Sequence, residues 1–592
     1  MNLLLSNIRL LFVFDPLALF FIIVILLVSF PALIYSIGYS KGKSTPLTLA
    51  FIASMLLLVS SANALYFLIF WELMSLLSYL LVLTDSENEQ AVSAATLYIV
   101  MTHVGTAFLL AAFCFIYRAS GSFDLSAMAA ACQAMPQLQR DLLFICFLLG
   151  FGTKAGIVPL HIWLPYAHPQ APSHISSIMS GVMIKIAIYG FIRFVFCILG
   201  INSLWWGVLL LTLATITCLV GIIYALMENN LKKMLAYSSV ENIGIILVAI
   251  SLAMIFVDQK LFPLASLAMI AGLYHVVNHA VFKGLLFLCA GSVQKGAKTL
   301  NIEELGGLIK KMPWTALFFL IGAMGISALP PFNGFISEWL ILQAFFRGAI
   351  SVSGKMTLLL AVGAGALALT SGLAAACFVK VFGISFLALP RSEKAAEAKE
   401  VDWTMLISTG FLSVLVIALG LAAPFVIKML AIIPASLFGT TPPIASLFNL
   451  YPPPNAVAML SLLSIAMLLG IFLVMRKKSH PGATWDCGYY KIDSRNEYTA
   501  TAFSKPFRIT FGFFLLPFRR TELVKASSYH VSSFSHETRT TKIFKKYLYD
   551  AGLAVMMRFA RSFRRMQAGS IHIYIAYIFV TLIFLILFLR II

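Results

Sequence analysis

The sequence predicts an all-α polytopic membrane protein of about 14 transmembrane helices, built as two inverted repeats that each hold a discontinuous helix. Three observations carry this expectation. Of 592 residues, 61% are hydrophobic and only 11% charged, with a mean hydropathy of +0.95, where a water-soluble chain would carry about 25% charged residues. Apolar runs of the roughly 20 residues needed to cross a hydrocarbon core recur from Phe14 almost to the C-terminus. Two of these runs are interrupted by proline, in "VPLHIWLP" and in "ISALPPFNGFISEWLIL".

In chain order the expected spans fall near 14–38, 46–62, 64–83, 91–117, 141–165, 172–198, 204–227, 234–256, 263–291, 314–346, 356–389, 403–430, 456–476 and 571–592. Pro159 and Pro165 break the fifth; Pro330 and Pro331 break the tenth, where Gly334 loosens the turn. Proline removes a helical donor, so such spans persist only where protein or water satisfies the freed backbone groups. The chain divides into a transmembrane core over 1–476, a basic cytoplasmic and interfacial segment over 477–570, and a last span over 571–592. The middle segment joins "WDCGYYKIDSRNEY" to the basic-amphipathic run "YLYDAGLAVMMRFARSFRRM", which suits a membrane surface. No basic n-region precedes the first span, so no cleavable signal peptide is expected.

Threading the loops puts Lys41, Lys43, Lys232, Lys233, Lys295, Lys298, Lys310, Lys311 and the basic stretch after Arg476 on one side. Arg118, Arg140, Lys260, Arg347 and Lys355 fall on the other. The excess of lysine and arginine marks the first side as cytoplasmic, with both termini periplasmic or exterior. A net charge of +19 thus points to lipid headgroups rather than nucleic acid. Eight dispersed cysteines without a CxxC pair predict neither iron–sulfur nor zinc ligation in this chain.

Ionisable residues stand well inside the apolar runs: Glu72, Lys154, Lys185, Glu241, Glu338 and Lys380, with His275, His279 and Lys283 spaced four apart down one helix face. Each costs roughly 2.5–3.5 kcal/mol to insert at mid-bilayer. Taken singly they have plainer readings. Glu72 and Lys154 could neutralise each other, Lys185 and Lys380 could snorkel, and Glu241 could be interfacial. His161, His168 and His174 lie in the first broken stretch. Asp15 and His103 look isolated and structural. The set as a whole suits a buried hydrophilic path of switchable proton sites, since a carboxylate beside a lysine holds it protonated until the two separate.

These residues, in this order, resemble the antiporter-like subunits shared by respiratory complex I, multisubunit sodium/proton antiporters and membrane-bound hydrogenases, over roughly residues 14–475. Glu72, in a "WE" context, and Lys154 match the family's paired glutamate and lysine, and "PLHIWLPYAHPQAPS" its broken-span signature. Lys185 matches a central lysine, His275, His279 and Lys283 the central relay, and Glu338 the terminal site. "LAYSSVENIGIIL", "LYHVVNHAVFKGLLFLCAGSV", "GGLIKKMP", "ALPPFNGFISEW" and "WDCGYY" are most similar to the formate hydrogenlyase and hydrogenase-4 type. The chain opens at "FDPLALFF", so the family's first two spans are expected to be absent.

The resemblance implies a proton-translocating subunit without redox centres of its own. Its expected partners are other membrane subunits, including a quinone-site-like one, hydrogenase large and small subunits and iron–sulfur proteins. A nickel–iron (NiFe) centre and iron–sulfur clusters would sit in those partners, and the complex in the cytoplasmic membrane. Alternatives are the large subunit of a cation/proton antiporter, a membrane anchor with a vestigial path, and the membrane part of an inorganic-carbon uptake pump.

Overall fold

The computed structural model describes residues 12–42, 44–84, 86–439, 454–476, 485–489, 491–525, 527, 530–564 and 571–589. Lys43, parts of the expected basic segment (477–484 and 565–570) and the last three residues lie outside them. The chain forms two compact units, Met1–Phe507 and Arg508–Ile592.

In the first unit the membrane helices are α1 (Pro16–Ser40), α2 (Thr45–Val59), α3 (Ala64–Val82), α4 (Glu89–Ser120), α5 (Leu125–Ala134), α6 (Gln137–Ala155), α7 (Leu164–Gln170), α8 (Ser173–Leu199), α9 (Leu204–Met227), α10 (Leu231–Asp258) and α11 (Phe262–Ala297). They continue as α12 (Pro313–Ile326), α13 (Asn333–Ser351), α14 (Lys355–Phe386), α15 (Trp403–Leu421), α16 (Ala423–Phe438) and α17 (Pro454–Arg476), before the shorter α18 (Ala500–Thr510). Among the described residues ten helices are long and apolar enough to cross a membrane, counting α6 and α7 together, and several shorter apolar ones accompany them. Two expectations change in detail. The 121–136 loop contains the helix α5, and the tenth span is two helices, α12 and α13, either side of the Pro330–Pro331 break.

Both breaks are stitched by side chains rather than left open. At the first, α6 ends on Gly156 in the left-handed region (φ 88). Trp163 Nε1 donates to the Thr153 carbonyl at 2.8 Å, and the Val158 N–H donates to Thr217 Oγ1 at 3.1 Å. At the second, Asn278 on α11 donates to the Asn333 carbonyl at 2.8 Å. Gly334 serves close approach here rather than flexibility: a Cβ on it would come within 2.0 Å of the Gly325 carbonyl oxygen. Helix α8 departs from α geometry twice, widening to π turns at Met179–Met183 and Ile192–Leu199.

Helices α10 and α11 are buried along almost their whole length, so they form the centre of the unit. Glycines let α9 reach α10 at backbone distance, Gly221 against Glu241 and Gly244 against Cys218. At the start of α1, Asp15 caps the Ala18 N–H at 2.9 Å and takes both Arg193 guanidinium nitrogens, at 2.5 and 2.7 Å. Asp15 is therefore not isolated; the fold brings α8 to the N-terminus of α1. Replacing Arg193 with leucine removes both bonds while the part-exposed carboxylate keeps its cap on Ala18, and a loss of about 1–2 kcal/mol is expected. Thermal unfolding of the solubilised protein reads it, and an unshifted transition would contradict the anchor.

In the second unit, β1 (Phe518–Lys525) pairs antiparallel with β2 (Val531–Arg539), with a register shift at Val524/Lys525. This hairpin lies inside the expected basic segment, between the two runs singled out in the sequence. It is followed by α19 (Asp550–Arg564), exposed and rich in arginine, and α20 (Ile571–Leu589).

Candidate functional site

The ionisable residues read from the apolar runs line successive parts of the first unit's interior, and their partners are mostly neutral. Lys154, on the last turn of α6, is buried. Its Nζ donates to Ser75 Oγ at 2.8 Å and to Tyr98 Oη at 2.7 Å, and lies 4.9 Å from the Tyr98 ring centre. Tyr98 in turn meets Ser78 Oγ at 2.5 Å.

Glu72 does not touch Lys154. No ion pair among the described residues joins them, and Glu72 Oε2 lies 3.4 Å from His103 Nε2 instead. The geometry of α3 explains the difference: Ser75 points inward, while the Glu72 and His103 side chains are 35% and 58% exposed. The ammonium is held by the Ser75 and Tyr98 hydroxyls, and the carboxylate has His103 as its partner, which is therefore not an isolated residue. The Glu72 charge still bears on Lys154 through space.

Lys185 is buried on α8 and donates to the Ser180 carbonyl. Ser180 lies in the first π turn, so the lysine binds within the turn that precedes it. On α11, His275 Nδ1 meets Ser337 Oγ at 2.9 Å and Nε2 meets Asn242 Oδ1 at 3.2 Å. The His275 and His279 rings stack 6.4 Å apart and 9° from parallel. Neither nitrogen of His279, nor either of His168, has a hydrogen-bond partner among the described residues, although both side chains are buried. Buried polar nitrogens of this kind are sites for bridging water.

Lys283, one turn beyond His279, donates to the Leu235 carbonyl at 2.9 Å. Glu241 accepts from Ser238 Oγ at 3.0 Å and lies in the combined field of Lys283 and Glu338. Glu338 accepts from Ser371 Oγ at 2.5 Å. Lys380 on α14 donates to the carbonyls of Leu226 and Glu228 at 2.8 and 2.9 Å, at the end of α9. The histidines of the first broken stretch are buried too, and the charges of Lys283, Lys185 and Lys232 bear on His168. His174 Nε2 meets Ser44 Oγ at 3.0 Å.

The structure thus brings Lys283, Glu241 and Glu338 into one electrostatic neighbourhood, with His275 and His279 beside them, and sets Glu72 apart at the outer face. The sequence reading missed the hydroxyls and amides that hold these groups: Ser75, Tyr98, Asn242, Ser337 and Ser371. None of them carried a signal that sets it apart from the other serines, tyrosines and asparagines of these spans. Among the described residues no group of three or more histidine, cysteine, aspartate or glutamate side chains is placed to hold a metal ion.

A tight all-helical membrane unit with interior lysines, glutamates and histidines on two broken spans defines an antiporter-like subunit. Residues 61–368 match the family described as NADH:quinone oxidoreductase/Mrp antiporter, TM, and residues 3–43 match the complex I chain 5 N-terminus. The chain is 34% identical over 605 residues to hydrogenase-4 component B of Escherichia coli (strain K12), covering 97% of this chain and 88% of that protein. It is 36% identical over 465 residues to formate hydrogenlyase subunit 3 of the same organism, covering 76% and 72%. In fold it superposes on a chain of the membrane-bound sulfane sulfur reductase, an archaeal respiratory membrane complex, with a TM-score of 0.77 at 22% identity, covering 97% and 89%. The chain belongs to the NADH:quinone oxidoreductase/Mrp antiporter family of membrane subunits. It is a multi-pass membrane protein whose relatives are subunits of multi-subunit membrane complexes.

Proposed function

We propose that this chain is the proton-translocating subunit of a membrane-bound nickel–iron hydrogenase complex of the formate hydrogenlyase or hydrogenase-4 type. Protons pass along Glu72, Lys154, Lys185, His275, His279, Lys283, Glu241, Glu338 and Lys380. One observation carries the reading: among the described residues, Lys154, Lys185, Lys283, Glu241 and Glu338 are buried with no ion pair within 4.0 Å and are held by hydroxyls and carbonyls. A buried charge without a counter-ion in contact is costly to keep and easy to discharge, which is the property a proton relay needs. Neutral hydroxyls accept either protonation state of their partner, because they both donate and accept.

Lys154 takes a proton from the Glu72 side and releases it inward. Lys185 and Lys283 hold it next, with waters at His279 linking them. Glu241, between Lys283 and Glu338, receives it and hands it to the second broken span. The energy comes from redox chemistry in partner subunits, which hold the nickel–iron centre and the iron–sulfur clusters; this chain binds neither. Its neighbours are other membrane subunits, including a quinone-site-like one, together with the hydrogenase subunits. The complex lies in the cytoplasmic membrane, with the lysine-rich loops at 41–44, 295–311 and beyond 476 facing the cytoplasm.

The similarity to a component of the Na(+)/H(+) antiporter of Alkalihalophilus pseudofirmus, 33% identical over 344 residues and covering 56% of this chain and 42% of that protein, supports a second reading without redox partners. Mass spectrometry of the complex purified in mild detergent, with nickel, iron and zinc assays, separates the two. Nickel-containing and iron–sulfur subunits are expected. Small membrane subunits alone, or a zinc protein without nickel, would overturn the hydrogenase assignment and move the chain to the antiporter or carbon-pump reading.

A further inference from the structure

The segment after "WDCGYY" is not a loose tail. Its Glu497 accepts from the Leu389 N–H at 2.7 Å and from Arg391 at 3.1 Å. Arg391 is itself fixed on the carbonyls of Leu305 and Ile384. Three residues on, α18 begins, and Glu303 from the opposite loop accepts the Ala500 N–H at 3.0 Å and the Thr501 N–H and Oγ1 at 2.7 and 2.6 Å. Two carboxylates on separate partners thus pin the segment across the lysine-rich loops.

What the pinned segment touches is the end of α9, where Lys380 is bound. The Leu226 carbonyl accepts from Lys380 Nζ at 2.8 Å and from Ser504 Oγ at 2.7 Å, which fills both of its lone pairs. Asn229 is used at both ends of its amide: Oδ1 faces Lys380 Nζ at 3.4 Å, and Nδ2 donates to Thr501 Oγ1 at 3.2 Å. Lys380 and Ser504 are both buried. The ammonium therefore rests on neutral dipoles at a helix C-terminus, the end that favours a cation. The Leu226 carbonyl is shared directly between Lys380 and the segment, and the Asn229 amide bridges the two, accepting from one and donating to the other. One turn before Lys380 stands Cys377, on which the charges of Lys380, Glu241 and Lys283 all bear. Cys377 thus lies within reach of both Lys380 and the Glu241 and Lys283 charges, one turn of α14 from the Lys380 site.

We propose that residues 497–504 form a clasp that positions Lys380 as the loop-side mouth of the proton path, with Thr501, Ser504 and Asn229 as positioning residues. The inference rests on the proton-translocating reading above. With the clasp closed, the ammonium is shielded from bulk water on the Leu226 and Glu228 carbonyls; with it open, the Leu226 carbonyl and Asn229 amide are hydrated and Lys380 exchanges its proton with the loop side. The step moves a single proton between a lysine and water and needs no co-reactant.

The test uses the purified complex with all its subunits, reconstituted into vesicles, with proton transfer followed by an internal pH dye. Thr501→Val with Ser504→Ala removes both hydroxyls at nearly constant volume, and transfer is expected to fall at least threefold, with a displaced pH profile. Thr501→Ser with Ser504→Thr restores the hydroxyls and is expected to recover most of it. Lys380→Met is expected to match or exceed the loss. If the hydroxyl-free variant does not assemble, the two single variants are read against the same threshold.

Wild-type transfer in the hydroxyl-free variant beside a defective Lys380→Met would overturn the clasp. Wild-type transfer in Lys380→Met beside a defective Lys154→Met would overturn the mouth and leave the path. Wild-type transfer in Lys154→Met would remove the path itself, and the clasp with it.

Discussion

Lys154→Met is expected to lower proton transfer by more than tenfold while the complex assembles in normal yield. Methionine nearly matches the lysine stem in volume, so the surroundings of residue 154 stay filled. The hydroxyls left behind keep other partners: Ser75 Oγ bonds the Trp71 carbonyl at 2.9 Å, and Tyr98 keeps Ser78. Removing a buried charge that has no counter-ion in contact is near neutral or stabilising. Loss of transfer therefore cannot be charged to loss of fold. The measurement is dye-reported proton uptake by vesicles containing the complex, with subunit stoichiometry from the same preparation. Unchanged uptake would remove Lys154 from the path and favour a membrane anchor whose interior charges do nothing.

The largest expected effect on stability comes from a residue with no chemistry. A Cβ on Gly244 would lie 2.6 Å from the Cys218 amide nitrogen and Sγ and 2.8 Å from the Ala214 carbonyl oxygen. Backbone on one side and backbone on the other leave nothing that can rotate away, so Gly244→Leu must separate α9 from α10. Overpacking typically costs about 1–3 kcal/mol and more where the neighbours are rigid. The variant is expected to fail to accumulate as folded protein. Gly372→Ala on α14 is the control, since nothing lies within 4 Å of the added carbon. Detergent-resistant folded yield reads both, and equal yields would contradict the backbone-to-backbone approach.

Much of the helical frame and most of the interior charges were legible in the sequence. A run of apolar residues has one economical structure in a bilayer, and a lysine within such a run announces itself by its cost. Prolines located both breaks for the same reason, since a missing donor has no remedy in lipid. What held the charges was not legible. Serine, threonine and tyrosine in a membrane helix usually satisfy themselves on their own backbone, as Thr153 does on the Leu149 carbonyl at 2.7 Å. Nothing in the spelling separates Thr153 from Ser75, which does bind a lysine. The orientation of Glu72 was hidden because three residues around a helix turn decide whether a side chain faces Lys154 or His103. The hairpin of β1 and β2 was hidden by a different ambiguity. Its sequence, "FRRTELVK" and "VSSFSHETR", is polar and charged enough to read as a surface helix or loop, and the pairing resides in cross-strand contacts.

The π turn at Met179–Met183 sets an angle as well as supplying the Lys185 acceptor. Beyond it Lys185, Tyr189 and Arg193 follow at intervals of four, a single stripe with three fixed points: the Ser180 carbonyl, the Val59 carbonyl at 2.7 Å, and Asp15. Each residue added to or taken from a helix turns everything after it by about 100°. The wide turn is therefore a phase-setting element. Deleting one residue within 179–183 would act as a rotation of the stripe, withdrawing a buried lysine, a tyrosine anchor and a buried arginine from their partners in one motion. The span that carries Lys185 is in this way indexed to the N-terminus of α1, and the placing of its lysine and its anchoring share one register.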